Sequence, residues 1–281
     1  MEIVQSIIIG GVQGLSEFLP ISSSGHLVII PYLFNWRYGG LSFDVALHFG
    51  TAIALVAFFW QDWIRIISNA INSLYSLLNK KNKPNENHKS ISGQYPPNLL
   101  WQIVLASIPV AIAALLFDQT IENTFHSDSF LGRLIIALNL AFFGLLLWLL
   151  DKYSKKKLNI EKISLKQSVL IGLAQALSLM PGVSRSGITI TAGMASGLKR
   201  ESAARFSFLL STPAIVGAFL LSLKDIHQSD TGIAFWAGVV SSTIFSFLTI
   251  KFLLNYLKKG DYSLFVWYRL ALAIIILIFI F

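Results

Sequence analysis

The chain has 281 residues, of which 54% are hydrophobic and 13% charged, with a formal net charge of +8 and no cysteine. A soluble domain carries about 25% charged residues, so the composition excludes an ordinary soluble enzyme and points to a membrane protein. The missing cysteines exclude disulfides, thiolate metal sites and a cysteine nucleophile. The basic residues cluster in loops between apolar blocks, which reads as membrane topology rather than nucleic-acid binding.

The N-terminus, MEIVQSIIIGG, lacks the basic n-region of a cleaved signal peptide. The first apolar stretch, 3–35, is broken in its middle by Pro20 and a run of Ser and Gly. It predicts two half-helices with a polar loop between them, since non-helical backbone at membrane depth survives only inside protein or a cavity. Apolar blocks long enough to cross a bilayer follow near 44–60, 99–117 and 131–150. The turn-rich segment 79–98 reads as a flexible loop. A second broken stretch, 168–198, comes next, and then blocks near 206–223, 232–250 and 264–281.

Loop charge orients these elements. Arg65, Lys80, Lys81, Lys83 and Lys89, the lysines between 151 and 167, Lys199 with Arg200 and Arg205, and Lys251 with Lys258 and Lys259 belong on the cytoplasmic side. Asp118, Glu122 and Asp128 mark an acidic outer loop, and the loop Lys224–Thr231 joins them outside. Three spans then separate the two broken stretches, which places them on opposite faces. A shift of 162 residues lays Gln13 on Gln175, Ser16 on Ser178, Ser22 on Ser184, Ser24 on Ser186 and Gly25 on Gly187. The expected fold is an all-α integral membrane protein, one membrane domain over 1–281. It has six transmembrane helices plus two re-entrant helical hairpins arranged as an inverted repeat (repeat 1 about 1–150, repeat 2 about 168–281). Such architectures place a site near the bilayer midplane.

The loops carry the chemistry. In GVQGLSEFLPISSSGH, Gln13 and Glu17 share one helical face, and an ionised Glu at that depth needs a partner or water. Ser22, Ser23, Ser24 and Gly25 offer hydroxyls and open backbone N–H groups suited to an anion. His26 can take a proton near neutral pH. In PGVSRSGITIT, Arg185 between Ser184 and Ser186 is a guanidinium fork for phosphate. Gly182 and Gly187 allow close backbone approach, and Thr189 adds a hydroxyl. Acid, base and hydroxyl on one loop and phosphate clamps on the other make a parts list for phosphoryl transfer. Asp44 and His48 form a further polar pair on one helix face. Arg269 reads as a snorkelling or structural cation.

These residues resemble the undecaprenyl pyrophosphate phosphatase, or bacitracin-resistance, family. The shared signatures are Gln13-x-x-x-Glu17 leading to the Ser-rich loop and His26, and Pro181 through Thr189, with further similarity at Phe43–Thr51 and Phe206–Ala218. The resemblance implies hydrolysis of undecaprenyl pyrophosphate to the monophosphate in the plasma (inner) membrane of a bacterium. That step recycles the cell-wall lipid carrier and confers bacitracin resistance. It implies a polyprenyl pyrophosphate lipid as substrate and a divalent cation, Mg²⁺ or Ca²⁺. Ser23 would be the nucleophile, with His26 and Glu17 activating it or handling the proton. Arg185, Ser184, Ser186 and Thr189, with Ser22, Ser24 and Gly182, would hold the pyrophosphate. A metal-activated water fits the same inventory, with Glu17 and Gln13 as metal ligands. Many family members have Glu at the position of Gln13. Inverted repeats also suit a lipid-phosphate flippase or anion transporter, which needs the clamps but no positioned nucleophile. The apolar surface permits a homodimer without demanding one.

Overall fold

The computed structural model describes residues 2–36, 39–78, 95–125, 130–223 and 231–280, with backbone alone at 41, 77–78, 117–125 and 280. Among the described residues ten α-helices follow in order: α1 Ile3–Phe18, α2 Ser23–Leu33, α3 Leu41–Leu78, α4 Leu99–Phe125, α5 Phe130–Tyr153, α6 Leu165–Ala176, α7 Arg185–Ala195, α8 Arg200–Ser222, α9 Ile233–Tyr256 and α10 Ser263–Ile280. Both expected broken stretches are broken helices, α1–α2 and α6–α7. Five helices, α3, α4, α5, α8 and α9, are long and apolar enough to cross a membrane, the signature of a multi-pass membrane protein. Their outward faces are apolar, with Leu115, Leu138, Ile233 and Val240 each more than half exposed, as lipid contact requires.

Two boundaries differ from expectation. The block expected over 44–60 continues as one helix to Leu78. No Gly or Pro interrupts 51–78, and Ile66 and Ala70 keep a buried stripe past the charged residues. The acidic stretch expected as a loop from Asp118 is helical to Phe125. The side chains of Asp118 and Glu122, all of Asp128, and the lysines at 80, 81, 83 and 89 lie outside the described residues, as does 224–230.

Small residues set the helix spacing. A Cβ at Gly10 would lie 2.5 Å from the Gly238 carbonyl oxygen, and one at Gly14 would lie 2.6 Å from that of Ser242. α1 therefore lies backbone to backbone on α9, as small-residue seams do in membranes. Gly172 gives α6 the same seam against Ala106 of α4. α3 packs on both α8 and α9, while α5 packs on α10 and α7. The α1–α9 and α6–α4 pairs correspond when α1–α5 are matched to α6–α10.

The basic end is stitched together rather than loose. Asp151 at the end of α5 pairs with Arg200 at 2.6 Å and Lys156 at 3.1 Å, and accepts from the Tyr262 N–H at 3.0 Å. Leu158 and Leu198 form an isolated bridge, and the Lys199 N–H reaches the Leu158 carbonyl. Nearby, Arg205 of α8 pairs with Asp62 of α3 at 3.2 Å and donates to the Tyr95 hydroxyl. Burial pushes the Tyr95 phenol up, so it keeps its proton and donates it to Asp62 at 2.9 Å.

Candidate active site

The loops that follow α1 and α6 meet. Both end at a serine with positive φ, Ser22 at 74° and Ser184 at 71°, a region non-glycine residues seldom enter. Each serine is the N-cap of the next helix, and each hydroxyl meets the serine two residues on: Ser22 to Ser24 at 3.2 Å, Ser184 to Ser186 at 3.3 Å. Strained backbone of this kind persists only where the surroundings hold it. Here the holding group is Arg269 of α10, which is fully buried. Its guanidinium donates to the carbonyls of Pro20 in the first loop, Gly182 and Val183 in the second, and Asn139 and Leu140 on α5, at 3.0–3.3 Å. The Asn139 amide adds a bond to the Pro181 carbonyl at 2.8 Å, and the Ser186 hydroxyl crosses to the Leu19 carbonyl at 3.0 Å. Arg269 is thus no snorkel. Its length reaches three carbonyls that the helix breaks would otherwise leave unpaired in a dry interior, and two more on α5.

Glu17 is the centre of the joined loops. It is 7% exposed. Its Oε1 accepts from Arg185 Nη2 at 2.6 Å. Its Oε2 accepts from the Ser23 hydroxyl at 2.7 Å and from Gln13 Nε2 at 3.0 Å. One carboxylate therefore holds the serine of the first loop and the arginine of the second. The same Gln13 nitrogen lies 3.2 Å from His48 Nδ1, which brings α3 to the site. Gln13 Oε1 is buried with no hydrogen-bond partner. The sequence pairs His48 with Asp44; the structure turns it toward Gln13.

The expected base His26 sits on α2, and both its ring nitrogens are engaged. Nδ1 lies 2.6 Å from the Ser22 carbonyl oxygen, which can only accept, so Nδ1 carries a proton. In the neutral ring Nε2 accepts from the Tyr268 hydroxyl, also at 2.6 Å, and the two rings lie parallel. His26 thus holds the strained Ser22 while Glu17 holds Ser23. Thr189, expected as a clamp, places its hydroxyl 2.8 Å from the Arg185 carbonyl and 2.6 Å from the Ser207 hydroxyl, inside the α7–α8 contact. Gly182 serves the backbone: its φ is 89°, and a Cβ there would meet the Ile136 carbonyl at 2.6 Å.

The two helix N-termini differ. Ser184 caps α7 by accepting from the Gly187 N–H at 3.2 Å. Ser22 makes no side-chain cap on α2. The first-turn N–H groups of α2, beside Ser23, are therefore free of that cap and can donate to an anion. Sequence reading missed Tyr268 and understated Arg269. The signal for both is Tyr-Arg inside an apolar helix, where a cation needs partners.

Comparison with known proteins places this site in a family. Residues 6–275 match the family described as bacitracin resistance protein BacA. An undecaprenyl-diphosphatase of Pelotomaculum thermopropionicum is 45% identical over 99% of this chain and 97% of its own. Those of Moorella thermoacetica and Caldicellulosiruptor bescii are 45% and 43% identical, over 98% and 99% of this chain and 97% and 98% of theirs. With a match that runs from α1 nearly to the end of α10, the chain belongs to the bacitracin resistance protein BacA family.

Proposed function

We propose that this protein hydrolyses undecaprenyl pyrophosphate to undecaprenyl phosphate and inorganic phosphate. The relatives carry that activity in their names. The observation that carries the reading here is the single carboxylate shared by Ser23 and Arg185. A flippase has use for the cation but none for a hydroxyl held at 2.7 Å on a buried carboxylate.

The roles follow from the contacts. Arg185 directs one N–H to Glu17 and turns the rest of its fork to the phosphate oxygens. The uncapped first turn of α2 donates to the same group. Glu17 Oε2 takes the Ser23 proton as Oγ attacks the terminal phosphorus. The bond from that phosphorus to the bridging oxygen breaks, and the lipid monophosphate leaves with that oxygen. Water then attacks the phosphoserine, regenerates Ser23 and releases inorganic phosphate. The Ser23–Glu17 bond favours Ser23 over a water as first nucleophile. His26, through the Ser22 carbonyl, positions the loop.

Gln13 Oε1, Glu17 and Ser23 form an all-oxygen set, and the unpartnered amide oxygen suits a hard cation such as Mg²⁺ or Ca²⁺. Among the described residues no three His, Cys, Asp or Glu converge, so phosphate oxygens of the substrate would complete the shell. When bound, the cation neutralises charge on the pyrophosphate.

The finer architecture belongs to this reading. α10, 18 residues and apolar, is the sixth span. The hairpins α1–α2 and α6–α7 are re-entrant, and the halves about 1–150 and 168–281 are an inverted repeat. The matched pairs α1–α9 and α6–α4, and the two serines near φ +70°, support it. The protein would sit in the bacterial inner membrane. Phosphate release from undecaprenyl pyrophosphate by purified protein in detergent tests the proposal. Divalent-cation-dependent release that chelator and Ser23→Ala abolish is expected. No release by folded wild type across Mg²⁺, Ca²⁺ and Mn²⁺ overturns it.

A further inference from the structure

His48 of α3 is half-buried and meets the site through Gln13, whose Nε2 lies 3.2 Å from its Nδ1. One residue of α9, Ser242, sets this approach. Its carbonyl oxygen would lie 2.6 Å from a Cβ at Gly14, next to Gln13, and its hydroxyl donates to the Leu47 carbonyl, next to His48, at 2.8 Å. A Cβ at Gly50 would lie 2.6 Å from the Val239 carbonyl oxygen, so α3 lies against α9 as closely as α1 does. The Thr243 hydroxyl donates to the Gly50 carbonyl at 3.1 Å, and the Thr51 hydroxyl to the His48 carbonyl at 2.7 Å. Gln13 and His48 therefore stand on backbone that one shared helix holds in place.

Donor counting fixes the direction of the contact. A side-chain amide nitrogen only donates. Of the two Gln13 N–H groups, one goes to Glu17 Oε2 at 3.0 Å and the other to His48 Nδ1. Nδ1 therefore accepts, and the ring carries its proton on Nε2. The opposite amide orientation would set Gln13 Oε1 against a carboxylate oxygen. Gln13 is fully buried, so an N–H without its partner would be left unsatisfied. We infer that His48 is a positioning residue for the phosphatase reaction, a role that rests on the phosphatase reading. It takes the second N–H, fixes the plane of the amide and so keeps the first N–H on the oxygen that receives the Ser23 proton. A chain His48–Gln13–Glu17–Ser23 thus runs from α3 to the nucleophile, with links of 3.2, 3.0 and 2.7 Å.

A mutant cycle on undecaprenyl pyrophosphate hydrolysis tests this. His48→Leu removes the acceptor and is expected to lower kcat about tenfold, the worth of one buried hydrogen bond. KM should stay within about twofold, since Arg185 and the first turn of α2 are untouched. His48→Asn, whose amide oxygen can stand where Nδ1 stands, should recover most of the loss. In a Gln13→Leu background, His48→Leu should cost nothing further. Should His48→Leu not fold, His48→Phe keeps a ring without an acceptor and takes its place in the cycle. An unchanged kcat, equal losses in His48→Leu and His48→Asn, or the same tenfold loss in the Gln13→Leu background overturns the role. Absent hydrolysis by wild type sinks the phosphatase reading and this role together, whereas intact hydrolysis with a silent His48→Leu sinks the role alone.

Discussion

The loop at Pro20–Gly25 and the loop at Gly182–Gly187 share one backbone design and do different work. Both turn through a serine near φ +70° into a new helix, and both pair that serine with the one two residues on. Yet the first leaves its helix uncapped and follows the turn with Ser23. The second caps its helix and puts Arg185 at the matching place. The shared part is what a buried helix break demands: backbone groups redirected to partners. The divergent part is the side chains, a hydroxyl and a cation that meet on the Glu17 carboxylate. Two loops that converge need not be alike; unlikeness supplies complementary groups.

The largest expected effect breaks what the loops share. Arg269→Met leaves five carbonyls without their buried cation. We expect a loss of roughly 3–5 kcal/mol, read as a large drop in thermal midpoint in detergent. Wild-type stability in that variant contradicts the frame drawn here. Next, Arg185→Lys keeps the charge but removes the fork. Phosphate release should fall about 10²–10³-fold, because an ammonium cannot hold Glu17 and a phosphate in one plane.

Smaller effects sharpen the difference. Ser184→Ala removes a working cap and should cost about 1 kcal/mol of stability. Ser22→Ala, at the matching position, removes no cap bond and should shift stability by less than about 0.5 kcal/mol. Equal losses at the two serines would erase the contrast. Last, Tyr268→Phe deletes the hydroxyl on His26 Nε2. A several-fold fall in kcat with an altered pH profile is expected, since Nε2 then loses its hydrogen-bond partner while the Ser22 carbonyl still holds the proton on Nδ1. Deletion of a merely structural hydroxyl would leave the profile in place.

Local rules made much of this legible. Apolar length marked the crossing helices, and Pro20 with the Ser-Gly runs marked both breaks, because helix continuity is decided within a turn or two. The clustered motif residues Glu17, Ser23 and Arg185 were legible for the same reason: a polar group in an apolar block stands out. The far end of α3 was not, because a buried stripe carried the helix past its charged residues. Thr189 and His26 read as site groups from type and spacing, and each also finds a partner on a neighbouring helix, Ser207 and Tyr268.

By itself the sequence determined which segments are helical, where they break and which polar residues must find company. The tertiary structure alone decided the company. Arg185 meets Glu17 across 168 residues and His26 meets Tyr268 across 242. Such meetings depend on how closely helices approach, which glycine seams such as Gly10 and Gly14 set by admitting a neighbouring backbone where any side chain would hold it off.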